Sequence, residues 1–146
     1  MRRAGGTTGR TLIGVRGPGD NRCMLRIGTI VMGAADVRRA VSFWCQALNY
    51  VPRYEVEDDW AVLVPADGRP GPGLSLARSE TPVQDHPRVH LDLYAGDAAD
   101  QANEVERLVA LGAERVDWDG YEADSDFIVL ADTEGNRFCV IDTGGH

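Results

Sequence analysis

Cysteine is scarce in this chain: Cys23, Cys45 and Cys139 stand alone among 146 residues, with no paired spacing. That excludes a disulfide framework and a zinc knuckle, and it makes a reducing cytoplasm the expected setting. No apolar run is long enough to span a bilayer, and Thr11-Leu12-Ile13-Gly14-Val15 is too short for a secretory core. Positive charge is also in deficit, with 15 basic residues against 23 acids and a formal charge of -8. The deficit is uneven, because residues 1–23 hold five Arg and one Asp, about +4, and residues 24–146 hold ten Arg against 22 acids, or -12. A surface of that sign repels phosphate backbones and anionic lipid, so neither nucleic acid nor membrane is an expected partner.

Hydrophobic periodicity is missing from Met1-Arg2-Arg3-Ala4-Gly5-Gly6-Thr7-Thr8-Gly9-Arg10. Residues 1–23 are expected to be a disordered extension or a mis-annotated leader, with translation starting at Met24 directly before the first strand-like run. The remainder, in a chain 43% hydrophobic and 26% charged, is long enough to bury one or two ordinary cores.

What the sequence does contain is a repeated order of elements. Phe127-Ile128-Val129-Leu130-Ala131-Asp132-Thr133-Glu134-Gly135-Asn136-Arg137-Phe138-Cys139-Val140-Ile141-Asp142 reads as a hairpin, since Glu134-Gly135-Asn136 tolerates positive φ between two runs of β-formers. Before it, residues 89–95 read as a strand. A helix then starts at Asp97 or Asp100 with Ala98, Ala102, Val105 and Val109 on its apolar face, and residues 115–118 form a further strand. The first half gives the same series. Residues 25–32 are a strand, Asp36 caps a helix with Val37, Val41, Trp44 and Leu48 on one face, and Asn49 is a left-handed stop where Gly112 ends the second helix. Residues 50–56, 60–64 and 74–77 are three more strands, and the Pro/Gly stretch before the last of them excludes a helix. A duplicated strand-helix-three-strand unit is the economical reading.

Three segments carry a resemblance to a known family: Asp36 with Ser42-Phe43-Trp44-Cys45-Gln46-Ala47-Leu48-Asn49-Tyr50, then Arg88-Val89-His90-Leu91-Asp92-Leu93, then Leu130-Ala131-Asp132-Thr133-Glu134-Gly135-Asn136-Arg137-Phe138-Cys139. Together they resemble the vicinal oxygen chelate superfamily, which includes glyoxalases, bleomycin resistance proteins and extradiol dioxygenases. Thr133 replaces the proline usual in the last segment. The resemblance implies an α+β fold of two tandem βαβββ modules forming a cup-shaped mixed sheet with helices outside. Residues 24–79 would be module one, 80–88 a linker, 89–143 module two, and 24–146 a single domain.

In the family's enzymes the cup holds a divalent metal on His and Glu side chains. Carried over one at a time, those positions fall at Thr29, among Ser75, Leu76 and Ala77, at His90, and at Cys139. Only His90 is an ordinary ligand, whereas catalytic sites take about three with open positions left over. No metal or other cofactor is therefore expected, and a divalent ion at His90 is the disfavoured alternative.

Strand alternation sends Val89, Leu91 and Leu93 to the helix and His90, Asp92 and Tyr94 to the cup; likewise Phe138 and Val140 go inward, and Arg137, Cys139 and Ile141 to the cup. Imidazole is the side chain best suited to proton transfer, and His90 has Asp92 two residues on along the same face, so the pair is a catalytic candidate. The alternatives are a histidine retained from a metal-binding ancestor and a structural hydrogen-bond acceptor at Asp92. Trp60, Trp118 and Tyr121 sit where the rim would be and suit a flat apolar ligand. Core packing is the competing role for Trp60. Trp118 and Tyr121 lie in the acid-rich stretch 117–126, which is either a solvated loop or a lid; its acids lack the spacing of a calcium loop. Cys45 faces the helix core as an inert thiol.

The ligand-binding candidates are thus Thr29, Trp60, His90, Tyr94, Trp118, Tyr121 and Cys139. The expected function is binding of a small, aromatic or planar molecule without a catalytic metal. The alternatives are a metal-free isomerase or dehydratase using His90, and a metal-dependent lyase or dioxygenase. A small molecule is the expected partner, and a homodimer the default assembly.

Overall fold

The computed structural model describes residues 24–145; the expectations for residues 1–23, Cys23 among them, lie outside that range. In the first module β1 (Thr29–Ala34) leads to α1 (Val37–Leu48), β2 (Tyr50–Pro52), β3 (Trp60–Pro65), a 3-10 turn at Ala66–Gly68 and β4 (Gly73–Arg78). The second repeats the series with β5 (Asp92–Ala95), α2 (Ala98–Leu111), β6 (Glu114–Arg115), β7 (Phe127–Ala131) and β8 (Arg137–Asp142). The strand orders are β1-β4-β3-β2 and β5-β8-β7-β6. In each sheet the module's first and last strands are parallel and the other pairs antiparallel. This is the α+β architecture of two βαβββ units.

Local chemistry sets the helix ends. Asp36 accepts from the Arg39 amide at 3.1 Å, and Asn49 closes α1 in the left-handed region at φ 53°. Asp97 does the same for α2 through the Asp100 amide at 2.9 Å, which decides between the two expected starts. Gly112, at φ 120°, ends that helix in a conformation that strains an L side chain.

The strands are shorter than the apolar runs that announce them, because a strand needs a partner as well as β-formers. β1 begins at Thr29, where Gly73 opens β4, and extends to Ala34 opposite Arg78; Leu25 is fully exposed and unpaired in the ladder. β5 begins at Asp92 opposite Cys139, so Val89, expected to face a helix, is 81% exposed. β2 stops at Pro52 and β6 at Arg115, short of residues 56 and 118. The apolar face of α2 also differs from expectation. Gln101, Val105 and Leu108 are buried, while Ala98 and Ala102 are exposed. Gln101 tolerates burial because its amide donates to the carbonyls of Asp126 and Val140, each at 2.9 Å.

One core serves both modules. Phe43 and Trp44 of α1 meet Phe138 of β8 at ring-centroid distances of 6.2 and 5.2 Å, and all three are fully buried. Each such ring contributes about 2–3 kcal/mol through burial alone. Arg107 of α2 reaches across to the carbonyls of Gln46 and Ala47, satisfying the open end of α1. The β7–β8 turn of module two is pinned to module one from three sides: Asn136 Nδ2 donates to the Gly33 carbonyl, the Asp36 amide donates to Glu134, and Arg39 pairs with Glu134.

Candidate functional site

The helix-facing side of the second sheet takes Leu93, Phe138 and Val140 into the core. Alternation turns Asp92, Tyr94, Cys139 and Ile141 to the opposite face, where register sets Asp92 beside Cys139, Tyr94 beside Ile141, and Ile141 beside Phe127. These five residues, with His90, Trp118, Asp126 and Thr143, line a cavity of about 590 Å³.

At its floor His90 Nε2 lies 3.0 Å from Asp92 Oδ1, and the two side chains are 43% and 46% exposed, open to a ligand from solvent. Burial pushes the Cys139 thiol up to about 11, and the charge of Asp92 and a hydrogen bond to it add to the effect. Cys139 is therefore a neutral thiol at physiological pH and a poor nucleophile.

The rim comes from the linker and the acid-rich loop. His86 packs on Trp118 with ring centroids 4.7 Å apart, and its Nε2 is 3.0 Å from Asp119 Oδ1. The hydrogen bond and charge of His86 hold the Asp119 carboxyl below its usual range. Beyond the end of β6 the Val129 amide donates to the Tyr121 hydroxyl at 2.7 Å, and the Tyr121 ring packs on Phe127 at 5.4 Å. Tyr121 thus fastens the loop to β7.

The expected site residues divide into two groups. His90, Asp92, Tyr94, Trp118 and Cys139 come together in the cavity; Thr29, Trp60 and Tyr121 do not line it. Thr29 and Trp60 belong to the first sheet, paired with Gly73 and Ala77. Phe127 and Thr143 are lining residues that sequence reasoning missed. Extending the alternation of β8 across the hairpin would have found Phe127, since it pairs with Ile141. Arg137 and Ile141 were both assigned to one cup, yet Arg137 lines a separate cavity of about 830 Å³ between β1, the linker and the β7–β8 turn. His90 borders both cavities.

A divalent metal at the family's four positions does not fit these residues. Module one offers Thr29, and Ser75 on the face of β4 opposite the core residues Leu74 and Leu76; neither is an imidazole or a carboxylate. Among the described residues, the three metal-capable atoms that do converge, on His90, Asp92 and Cys139, lie within 4.8 Å of one another but all come from module two.

Two linked βαβββ modules with a ligand-accessible concave face define a class of protein, and the sequence narrows it. Residues 29–141 match the glyoxalase-like domain, and the chain belongs to that family within the vicinal oxygen chelate superfamily. Among curated proteins none matches by sequence. Solved structures share the fold. A possible glyoxalase from Bacillus cereus is 17% identical, with a TM-score of 0.62 over 81% of this chain and 99% of that one. A genomically encoded fosfomycin resistance protein from Listeria monocytogenes is 16% identical, with a TM-score of 0.63 over 82% and 92%. A glyoxalase/bleomycin resistance protein/dioxygenase family enzyme from Burkholderia phytofirmans is 16% identical, with a TM-score of 0.61 over 80% and 97%. Among the described residues no helix is long and apolar enough to cross a membrane.

Proposed function

We propose that this glyoxalase-like protein binds a small planar molecule in the cavity of its second module and works by holding it, without a catalytic metal. The observation that carries the reading is the set of rings from Tyr94, Trp118 and Phe127 around the half-exposed His90–Asp92 pair. Flat ligands bury well against such walls, and a cavity of this size accommodates a drug-like molecule. Relatives described as resistance proteins make drug-like compounds a sensible first library.

The test is a thermal-shift screen of planar compounds, run beside elemental analysis of protein purified without chelators or a His-tag. A ligand present at about a hundred times its Kd stabilises the fold by about 2.7 kcal/mol, and Trp118→Ala is expected to abolish that shift. A near-stoichiometric transition metal, lost in His90→Ala, would replace the proposal with a metal-dependent lyase or dioxygenase.

A second reading rests on the 3.0 Å contact of His90 with Asp92. A carboxylate that orients an imidazole is the arrangement of a general base, so an isomerase or dehydratase is the catalytic alternative. There His90→Gln would remove turnover and leave ligand binding nearly intact. The working unit in either reading is a homodimer, which the edge strands β1, β2, β5 and β6 support, each having one open side among the described residues. Sedimentation at micromolar concentration checks this, and a monomer there would refute it.

A further inference from the structure

The charge of the cavity specifies its occupant more closely than its shape does. Among the described residues nine line it, Asp92 among them, and none is lysine or arginine. Asp92 Oδ1 has His90 Nε2 at 3.0 Å and the protonated Cys139 thiol beside it, and among the described lining residues no lysine or arginine stands against the carboxylate. Trp118 and Phe127 line the same cavity, and aromatic faces attract positive charge. The chain as a whole is acidic too, with a formal charge of -8. Such a field concentrates cations and repels anions.

We infer that the cavity is selective for a flat organic cation, with its ring against Trp118 and Phe127 and its positive charge directed to Asp92. This rests on the planar-ligand reading above and narrows it to one charge class. A neutral ring of the same shape gains the stacking alone. An anion of that shape meets like charge at Asp92.

The experiment is calorimetric titration of the full chain with three bicyclic probes of matched size: N-methylquinolinium, quinoline and naphthoate, at neutral pH and low salt. The expected result is that N-methylquinolinium binds about tenfold tighter than quinoline, a difference of about 1.4 kcal/mol, and that naphthoate does not bind. Added salt should weaken the cation and leave quinoline unchanged. Asp92→Asn should bring the cation down to the quinoline level, with circular dichroism verifying that the variant is folded; the salt titration needs no variant. Equal binding of cation and quinoline with no salt effect would overturn the charge inference and leave the planar-ligand reading standing. Tightest binding by naphthoate would overturn it as well. Binding of none of the three would bring down the planar-ligand reading and this inference together.

Discussion

The indole Nε1 of Trp44, on the helix of the first module, donates to Asp132 Oδ2 in the last turn of the second at 3.0 Å, and both residues are buried. The other carboxylate oxygen accepts from the amides of Glu134 and Asn136, each at 2.9 Å. One side chain therefore shapes the turn and ties it to the neighbouring module. Desolvation pushes the Asp132 carboxyl up from its usual value, and these donors partly offset the rise.

Asp132→Asn keeps the shape and one acceptor oxygen but points an amide N–H₂ at a donor. A buried donor left without an acceptor costs about 1–3 kcal/mol. Urea unfolding is expected to show a loss of that size with little change in the slope. A double-mutant cycle with Trp44→Phe should give a nonadditive term, because the two residues share the bond. An unchanged urea midpoint for Asp132→Asn would refute this account of the turn.

Glu134 offers a pH-dependent readout of the same junction. Its side chain is 1% exposed, and its oxygens accept from Arg39 Nε at 2.8 Å, the Asp36 amide at 2.8 Å and the Thr133 hydroxyl at 2.8 Å. Burial pulls the carboxyl upward, but Arg39 and the other donors outweigh it and hold the group below its ordinary value. A carboxyl depressed in the folded state contributes stability above its unfolded value, and that contribution is lost as pH falls through the folded one. Arg39→Met should therefore move acid unfolding to higher pH. Asp132, shifted the opposite way, works against Glu134 in the wild type, so the displacement between wild type and variant is the quantity to measure. Superimposable acid-unfolding curves would contradict the role given to Arg39.

The sequence displayed its repeat because caps and turns are local chemistry: Asp36, Asn49, Asp97 and Gly112 mark both helices, and Glu134-Gly135-Asn136 marks the last hairpin. Strand ends were less legible, since the start of β1 at Thr29 depends on where Gly73 falls in a partner more than forty residues away. Half of the site followed from alternation along β5 and β8, which places Asp92, Tyr94 and Cys139 on one face. Thr29 and Trp60 were grouped with them on the expectation of a single cup shared by both modules, a three-dimensional relation that alternation does not encode. Tyr121 was expected at the rim as an aromatic of the acid-rich loop; its hydroxyl bond to the Val129 amide, beyond the end of β6 at Arg115, is a contact across the loop that local pattern does not encode.

Cys139 reports on the floor of the cavity. Its thiol is raised from 9.0 to about 11 by burial and then by Asp92. The sign for stability follows: the contribution is fully present below the unfolded value and is lost as pH rises from about 9 through about 11. Removing the carboxylate in Asp92→Asn lowers the folded value, so alkylation of Cys139 at mildly alkaline pH should accelerate severalfold over wild type. Peptide-resolved mass spectrometry separates it from Cys45, whose thiol is raised by burial alone. Equal alkylation rates at Cys139 in both proteins would show that Asp92 does not act on the thiol.

Gln101 connects the helix to the site, although its polar character hid it from the apolar pattern of α2. Its Nε2 spans the carbonyls of Asp126, where the acid-rich loop ends, and Val140, in the middle of β8. Phe127 follows Asp126 directly and lines the cavity, so this one side chain sets the position of a wall residue from the far side of the sheet. Gln101→Glu preserves length and volume but has no N–H to give, and in its charged form it faces two carbonyl oxygens. Both carbonyls lose a donor, a cost of about 1–3 kcal/mol in a buried site. Gln101→Glu should therefore unfold at lower urea and bind planar ligands more weakly, while Ala102→Glu, one position along on the exposed face, should do neither. If both variants behave like wild type, the amide bridge does not position the loop.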